Sequence, residues 1–147
     1  MGIIPVHILF ILLLIFTSHT RGNTQKVEVV IQGIRSAAGE IVIGVYKDET
    51  SFNEDNPFER IRFGKAKPLK DEMNIELNLA PGVYGLALLD DENKDDKMNF
   101  NIVGIPQEGF GFSNYYHKGL TRPKFKDFSF IVKPDKQMKI QVKLKYM

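Results

Sequence analysis

Two spacings of apolar residues divide this chain. From Ile3 to Phe16 they run almost without interruption, and from Lys26 onward they recur at every second position in short segments separated by turn residues. The first run is shorter than the roughly 20 residues a helix needs to cross a bilayer and fits the hydrophobic region of a signal peptide. Thr17-Ser18-His19-Thr20-Arg21-Gly22 follows, small and polar, with Thr20 and Gly22 third-last and last before a cut after Gly22; a cut after Thr20 is the second choice. No Lys or Arg precedes the run, so only the α-amino group supplies the usual positive flank, and an uncleaved anchor stands as the alternative. The expectation is a signal peptide over residues 1–22 and a single domain over 23–147. That domain would be periplasmic or secreted, with no stable transmembrane span after cleavage.

Within the domain the period of two predicts strands. Val27, Val29 and Ile31 alternate with polar neighbours on the first, and Gly33 to Gly39 makes the turn after it. Ile41, Val42, Ile43, Val45 and Tyr46 are apolar on both faces, which places that strand centrally and covered on each side. Thr50 to Leu69 is polar, contains Pro57 and Pro68, and reads as a crossover loop carrying a short strand at Ile61–Gly64. Ile75, Leu77 and Leu79 alternate with Asn74, Glu76 and Asn78. Ala80-Pro81-Gly82 then supplies a tight turn, and Val83 to Leu89 resumes as a second strand apolar on both faces. These two strands are expected to pair like a hairpin. Asp127–Val132 and Met138–Tyr146 supply the last two, the final one showing lysines on its solvent face, where they discourage edge pairing. About seven strands without a helical period predict an all-β fold, an immunoglobulin-like or transthyretin-like β-sandwich.

Composition narrows the picture. The chain has no Cys, so neither a disulfide framework nor a thiol nucleophile is available. Removing Arg21 from the 20 Lys and Arg leaves 19 against 18 Asp and Glu, a near-neutral domain that does not suggest nucleic acid as a partner.

The densest chemistry lies between Asp90 and Asn99. Asp91-x-Asn93-x-Asp95 matches the opening of a calcium loop, in which alternate oxygen-bearing residues curl around one hard cation. Asp96 then stands where such a loop has glycine, and Ile102 where a helix-loop-helix site has its bidentate glutamate, so a full calcium hand is excluded. The candidate metal ligands are Asp91, Asn93, Asp95, Asn99 and Glu108, with Ca2+ as the cofactor. The competing reading is a solvated acidic turn, since Asp and Asn favour turns through local hydrogen bonds.

Val103 to Asn114 mixes Gly104, Gly109 and Gly111 with Pro106, Phe110 and Phe112 outside any regular pattern, and predicts an ordered loop folded onto the sandwich edge. With Tyr115, Tyr116 and His117 beside it, the candidate ligand-binding residues are Phe110, Tyr115 and Tyr116, suited to stacking on a sugar ring or a peptide; burial in the core is the competing reading. Ser113 and His117 are the one nucleophile-and-base combination worth testing.

Gly33-Ile34-Arg35-Ser36-x-x-Gly39, Val45-Tyr46, Phe52, Leu79-x-Pro81-Gly82-x-Tyr84, Asp91-x-Asn93, the run Gly104-Ile105-Pro106-x-Glu108-Gly109-x-Gly111-Phe112-Ser113-Asn114 and Pro123-x-Phe125 form an ordered set. In this set the chain resembles domain-of-unknown-function family 2141, over roughly Val27 to Tyr146. The resemblance implies a bacterial exported protein of a family without an assigned activity. Family members usually have a more glycine-rich acidic turn; Lys94, Asp95 and Asp96 depart from it, and Asn99 stands where aspartate is common. The leading expectation is a non-enzymatic accessory or binding domain, with a divalent cation in the acidic loop and an envelope protein or polysaccharide as partner. The alternative is a carbohydrate-binding module using the loop aromatics, and the third reading is a hydrolase.

Overall fold

Where alternating apolar faces meet, strands must pair and pack, and here they do so in two sheets. The computed structural model describes residues 23–65, 71–119 and 121–147, so the expected signal peptide lies outside the described residues. The strands are β1 (Gln25–Gln32), β2 (Glu40–Tyr46), β3 (Glu59–Gly64), β4 (Glu72–Leu79), β5 (Gly82–Asp91), β6 (Gly109–Phe112), β7 (Ser129–Val132) and β8 (Met138–Lys143). Two short helices, α1 (Glu49–Asn53) and α2 (Phe125–Phe128), accompany them. One sheet has the order β4-β1-β8, with β1 antiparallel to β4 and parallel to β8. The other runs β3-β2-β5-β6, and β7 shares the β5 edge with β6: Gly82–Gly85 pair with β7 and Ala87–Asp90 with β6.

The core lies between the sheets. Val27, Val29 and Ile31 of β1, Ile75 and Leu77 of β4, and Ile140 and Val142 of β8 face Ile41, Ile43 and Val45 of β2 and Leu86 and Leu88 of β5. Each fully buried side chain of this size contributes about 1.5–3 kcal/mol of transfer free energy. Among the described residues no helix is long and apolar enough to cross a membrane.

Two expectations need correction. β4 and β5 do not form a hairpin: β4 pairs with β1 and β5 with β2, so the chain changes sheets at Ala80-Pro81. Alternation shows which side chains face inward but not which backbone edge each strand meets. Here both edges of β5 are taken, by β2 on one side and by β7 and β6 on the other. The stretch expected to be loop from Val103 to Asn114 also contains β6, whose glycines let β8 and the C-terminal residues come close. A Cβ on Gly111 would lie 2.6 Å from Val142 Cγ1, and one on Gly109 2.3 Å from the Tyr146 ring.

The crossover from Thr50 carries β3 as expected, preceded by α1, which is capped by Asp48 accepting the Ser51 N–H at 2.7 Å. α1 places Phe52 on the outer face of the five-stranded sheet. There it packs edge-on to Tyr46 at 5.2 Å and Phe128 at 4.8 Å, within a second cluster that includes Phe112 and Phe125. Past β8 the chain switches sheets: Leu144 N–H bonds to Gln32 O at 2.9 Å, and Lys145 exchanges backbone hydrogen bonds with Phe110.

Candidate functional site

β5 ends in two aspartates whose side chains must point to opposite faces, and both are fully buried. Asp91 turns into the acidic loop. Its Oδ1 accepts the Asp95 N–H at 3.2 Å and its Oδ2 the Asp96 N–H at 2.9 Å, curling the chain around the carboxylate. Lys94 and Asp96 both take the left-handed conformation at φ 63°, the geometry for which a glycine was expected at position 96.

Glu108 arrives from the strand opposite and braces the same loop. It accepts the Glu92 N–H at 3.1 Å and the Asn99 N–H at 3.3 Å. Burial raises the Glu108 pKa against the lowering effect of those two N–H groups, and the nearby Asp91 and Asp95 raise it further. Carboxylate oxygens of Asp91, Asp95 and Glu108 lie within 4.8 Å of one another, and those of Glu40, Asp91 and Asp96 form a second such group. Asn93 and Asn99 are present in the loop, but their amide nitrogens hold Asp95 Oδ2 at 3.1 and 3.0 Å. The Asn99 contact is the largest of the influences that lower the Asp95 pKa. Of the five expected ligands the fold therefore gathers three carboxylates at one point and sets the two asparagines around Asp95.

Asp90 faces the other way, into the end of the core. Its Oδ2 accepts the Tyr146 hydroxyl at 2.5 Å, and its Oδ1 is in contact with the Lys65 ammonium, both side chains being essentially inaccessible. That contact lacks hydrogen-bond geometry, and Oδ1 has no hydrogen-bond partner among the described residues. Lys65 Nζ also donates to Ser36 O at 3.0 Å. Arg35 stacks on the Tyr146 ring at 4.4 Å, pairs with Glu92 at 2.9 Å and donates to Gln107 O at 3.0 Å. Burial raises the Tyr146 phenol pKa, and the bond to Asp90 adds to it.

The outer face of the five-stranded sheet carries a groove of about 510 Å³, within the range of small-molecule sites. Val42, Gly44 and Tyr46 of β2, Ala87 and Leu89 of β5, and Phe110 and Phe112 of β6 form its floor. The acidic loop builds one wall with Met98, Phe100 and Pro106, and Phe52 and Arg122 stand opposite. His117 sits at the floor, 9% exposed, 6.4 Å from the Phe110 ring, 6.0 Å from Phe112 and 5.9 Å from Tyr115. Its Nδ1 is buried without a hydrogen-bond partner among the described residues. The Arg122 guanidinium lies 4.1 Å over the Phe52 ring and donates to Phe52 O. Tyr46 donates to Asp55 at 2.7 Å, and its pKa is raised by burial first and that bond second.

The expected aromatic set is thus divided. Phe110 lines the groove and Tyr115 backs His117, while Tyr116 is half exposed with Lys143 over its ring at 5.6 Å, away from the groove lining. Ser113 is fully buried, accepts the Leu86 N–H at 2.9 Å and donates to Phe128 O at 2.6 Å. Its hydroxyl proton is engaged by a carbonyl rather than by His117. Met98, Phe100 and Arg122 were not singled out from the sequence, and Phe52 entered only among the residues of the family resemblance, not as a site residue. The available signal was that the strands now seen as β2 and β5 are apolar on both faces, so that the outer face needed a cover.

Residues 29–141 match the family described as an uncharacterized protein conserved in bacteria, DUF2141. The chain belongs to that family. The match to DUF2141 runs from within β1 to within β8 and therefore spans the acidic loop, His117 and the groove floor. No curated protein and no solved structure matches the chain. Membership in DUF2141 brings no assigned chemistry, so function must be argued from the site.

Proposed function

We propose that this chain is an exported, immunoglobulin-like or transthyretin-like binding module. It takes a small ligand with an apolar body and a hydrogen-bonding head into the groove on the outer face of the five-stranded sheet. The observation that supports it best is His117: a buried imidazole nitrogen with no partner among the described residues is costly, and a ligand head group in the groove would satisfy it. Apolar and aromatic walls with a few placed polar groups are the usual composition of such sites. Export rests on the Ile3–Phe16 run and the small, polar Thr17–Gly22 stretch after it.

The carbohydrate reading is weaker, because the floor aromatics pack against one another, Phe110 on Phe112 at 67° between ring planes, rather than offering a free stacking platform. Anilinonaphthalene sulfonate, which pairs apolar rings with an anionic head, is a direct probe. Saturable fluorescence enhancement is expected with the wild type, with loss in Ala87→Trp, which fills the floor, and weakening in His117→Phe. Undiminished binding by folded Ala87→Trp would overturn the reading. Retention on polysaccharide lost in Phe110→Ala, without dye binding, would favour the carbohydrate alternative.

A second reading concerns the wall. The convergence of Asp91, Asp95 and Glu108 supports a divalent cation, Ca2+ by its preference for hard oxygen donors. It would hold the loop that supplies Met98, Phe100 and Pro106 to the groove.

A further inference from the structure

We propose that Lys65 and Asp90 condense within the folded domain into an intramolecular amide, a covalent cross-link between the end of β3 and the end of β5. The register brings them together. Ile41 pairs with Phe63 on one side and with Asp90 on the other, and Lys65 lies two residues beyond Phe63 on the same inward face. Its side chain meets Asp90 at the end of the core. The Lys65 side chain is 1% exposed and that of Asp90 0%, so water is excluded from both reacting groups.

The surroundings supply the rest of an acyl-transfer site. Oδ1 of Asp90, the oxygen facing the amine, has no hydrogen bond to hold it among the described residues. Oδ2, the oxygen that stays, receives the Tyr146 hydroxyl at 2.5 Å, and the Arg35 N–H donates to that hydroxyl oxygen at 3.2 Å. A donor fixed at the retained oxygen stabilises the negative charge that develops there as the tetrahedral intermediate forms. Holding amine and carboxyl in contact inside a rigid core replaces a bimolecular encounter with an oriented intramolecular one.

The step balances without any co-reactant. One proton passes from Nζ to Oδ1, giving an amine and a carboxylic acid. Nζ attacks Cγ and the Nζ–Cγ bond forms, with the electron pair of the carbonyl moving to Oδ2. A second proton moves from Nζ to Oδ1, the Cγ–Oδ1 bond breaks, water leaves, and the Cγ–Oδ2 double bond returns. The one remaining N–H keeps the donor role that Nζ already has toward Ser36 O. Condensation also removes two charges from a site where each is held at a desolvation cost.

The test is the intact mass of the purified full chain, denatured before measurement, with the N-terminus fixed by peptide mapping. Expected is a mass lower than the sequence by one water, together with a branched tryptic peptide joining Lys65 to Asp90. Asp90→Asn should lose ammonia instead and arrive at the same covalent product and mass as the wild type, while Asp90→Ala should show its full sequence mass. A wild-type chain at full sequence mass, with Lys65 acylated by an amine reagent after denaturation, would overturn the proposal even if both variants failed to fold.

Discussion

Tyr146 donates its hydroxyl to Asp90 Oδ2 across 2.5 Å, tying the segment after β8 to the buried end of β5. The bond lies at the five-stranded sheet, because the chain crosses to that sheet at Leu144 and Lys145 pairs with Phe110 of β6. Tyr146→Phe removes the donor and leaves a buried acceptor unsatisfied, which costs roughly 1–3 kcal/mol. Chemical denaturation should show that loss as a lower midpoint with an unchanged slope.

Ser113 carries a comparable load at the other end of the second aromatic cluster. Its hydroxyl bridges Leu86 N–H and Phe128 O, so Ser113→Ala should destabilise by about 1–3 kcal/mol for each buried group left unpaired. A serine-directed phosphonate probe should leave Ser113 of the wild type unlabelled. Stoichiometric labelling there would restore the hydrolase reading.

Calcium should raise the melting temperature of the domain if Asp91, Asp95 and Glu108 hold it. At a free concentration 100 times the dissociation constant, linkage predicts a stabilisation of about 2.7 kcal/mol. Asp95 is exposed and offers the milder variant: Asp95→Ala should fold and lose the calcium-dependent rise. An unchanged rise in that variant would put the ion elsewhere.

The cap of α1 predicts a pH dependence. Asp48 accepts Ser51 N–H, which holds its pKa below the ordinary 3.8. A depressed carboxylate pKa stabilises the fold above the unfolded value, and that contribution is lost as pH falls through the folded one. Asp48→Ala should therefore be less stable than the wild type at neutral pH. The gap should narrow as pH drops below 3.8, measured by thermal melts across the acid range.

Much of the fold was legible along the chain, for a physical reason that applies to each strand alone. Ile75, Leu77 and Leu79 face inward because side chains alternate across a strand, and that alternation needs no knowledge of the partner. The doubly apolar stretch Ile41–Tyr46 announced a central strand covered on both sides, and it became so. Val83–Leu89, apolar on both faces as well, also took a central place, in β5. Pairing was not legible in the same way, since a hydrogen-bonding edge looks alike in every strand. Pro81-Gly82 suits a hairpin and an arch between sheets equally well, and the occupied edges of β5 decided for the arch.

The candidate site divides along the same line. The sequence by itself determined that an acidic loop follows a buried strand, because Asp, Asn and Glu spaced around position 91 leave few other roles, and it marked Phe110 as an aromatic needing cover. Only the tertiary structure separated Asp90 from Asp91, one turned into the core against Lys65 and Tyr146, the other into the loop. It alone set Phe52, Arg122 and His117 around one groove. Those contacts join residues distant along the chain, and their geometry comes from how two sheets and two short helices pack, which no local spacing encodes.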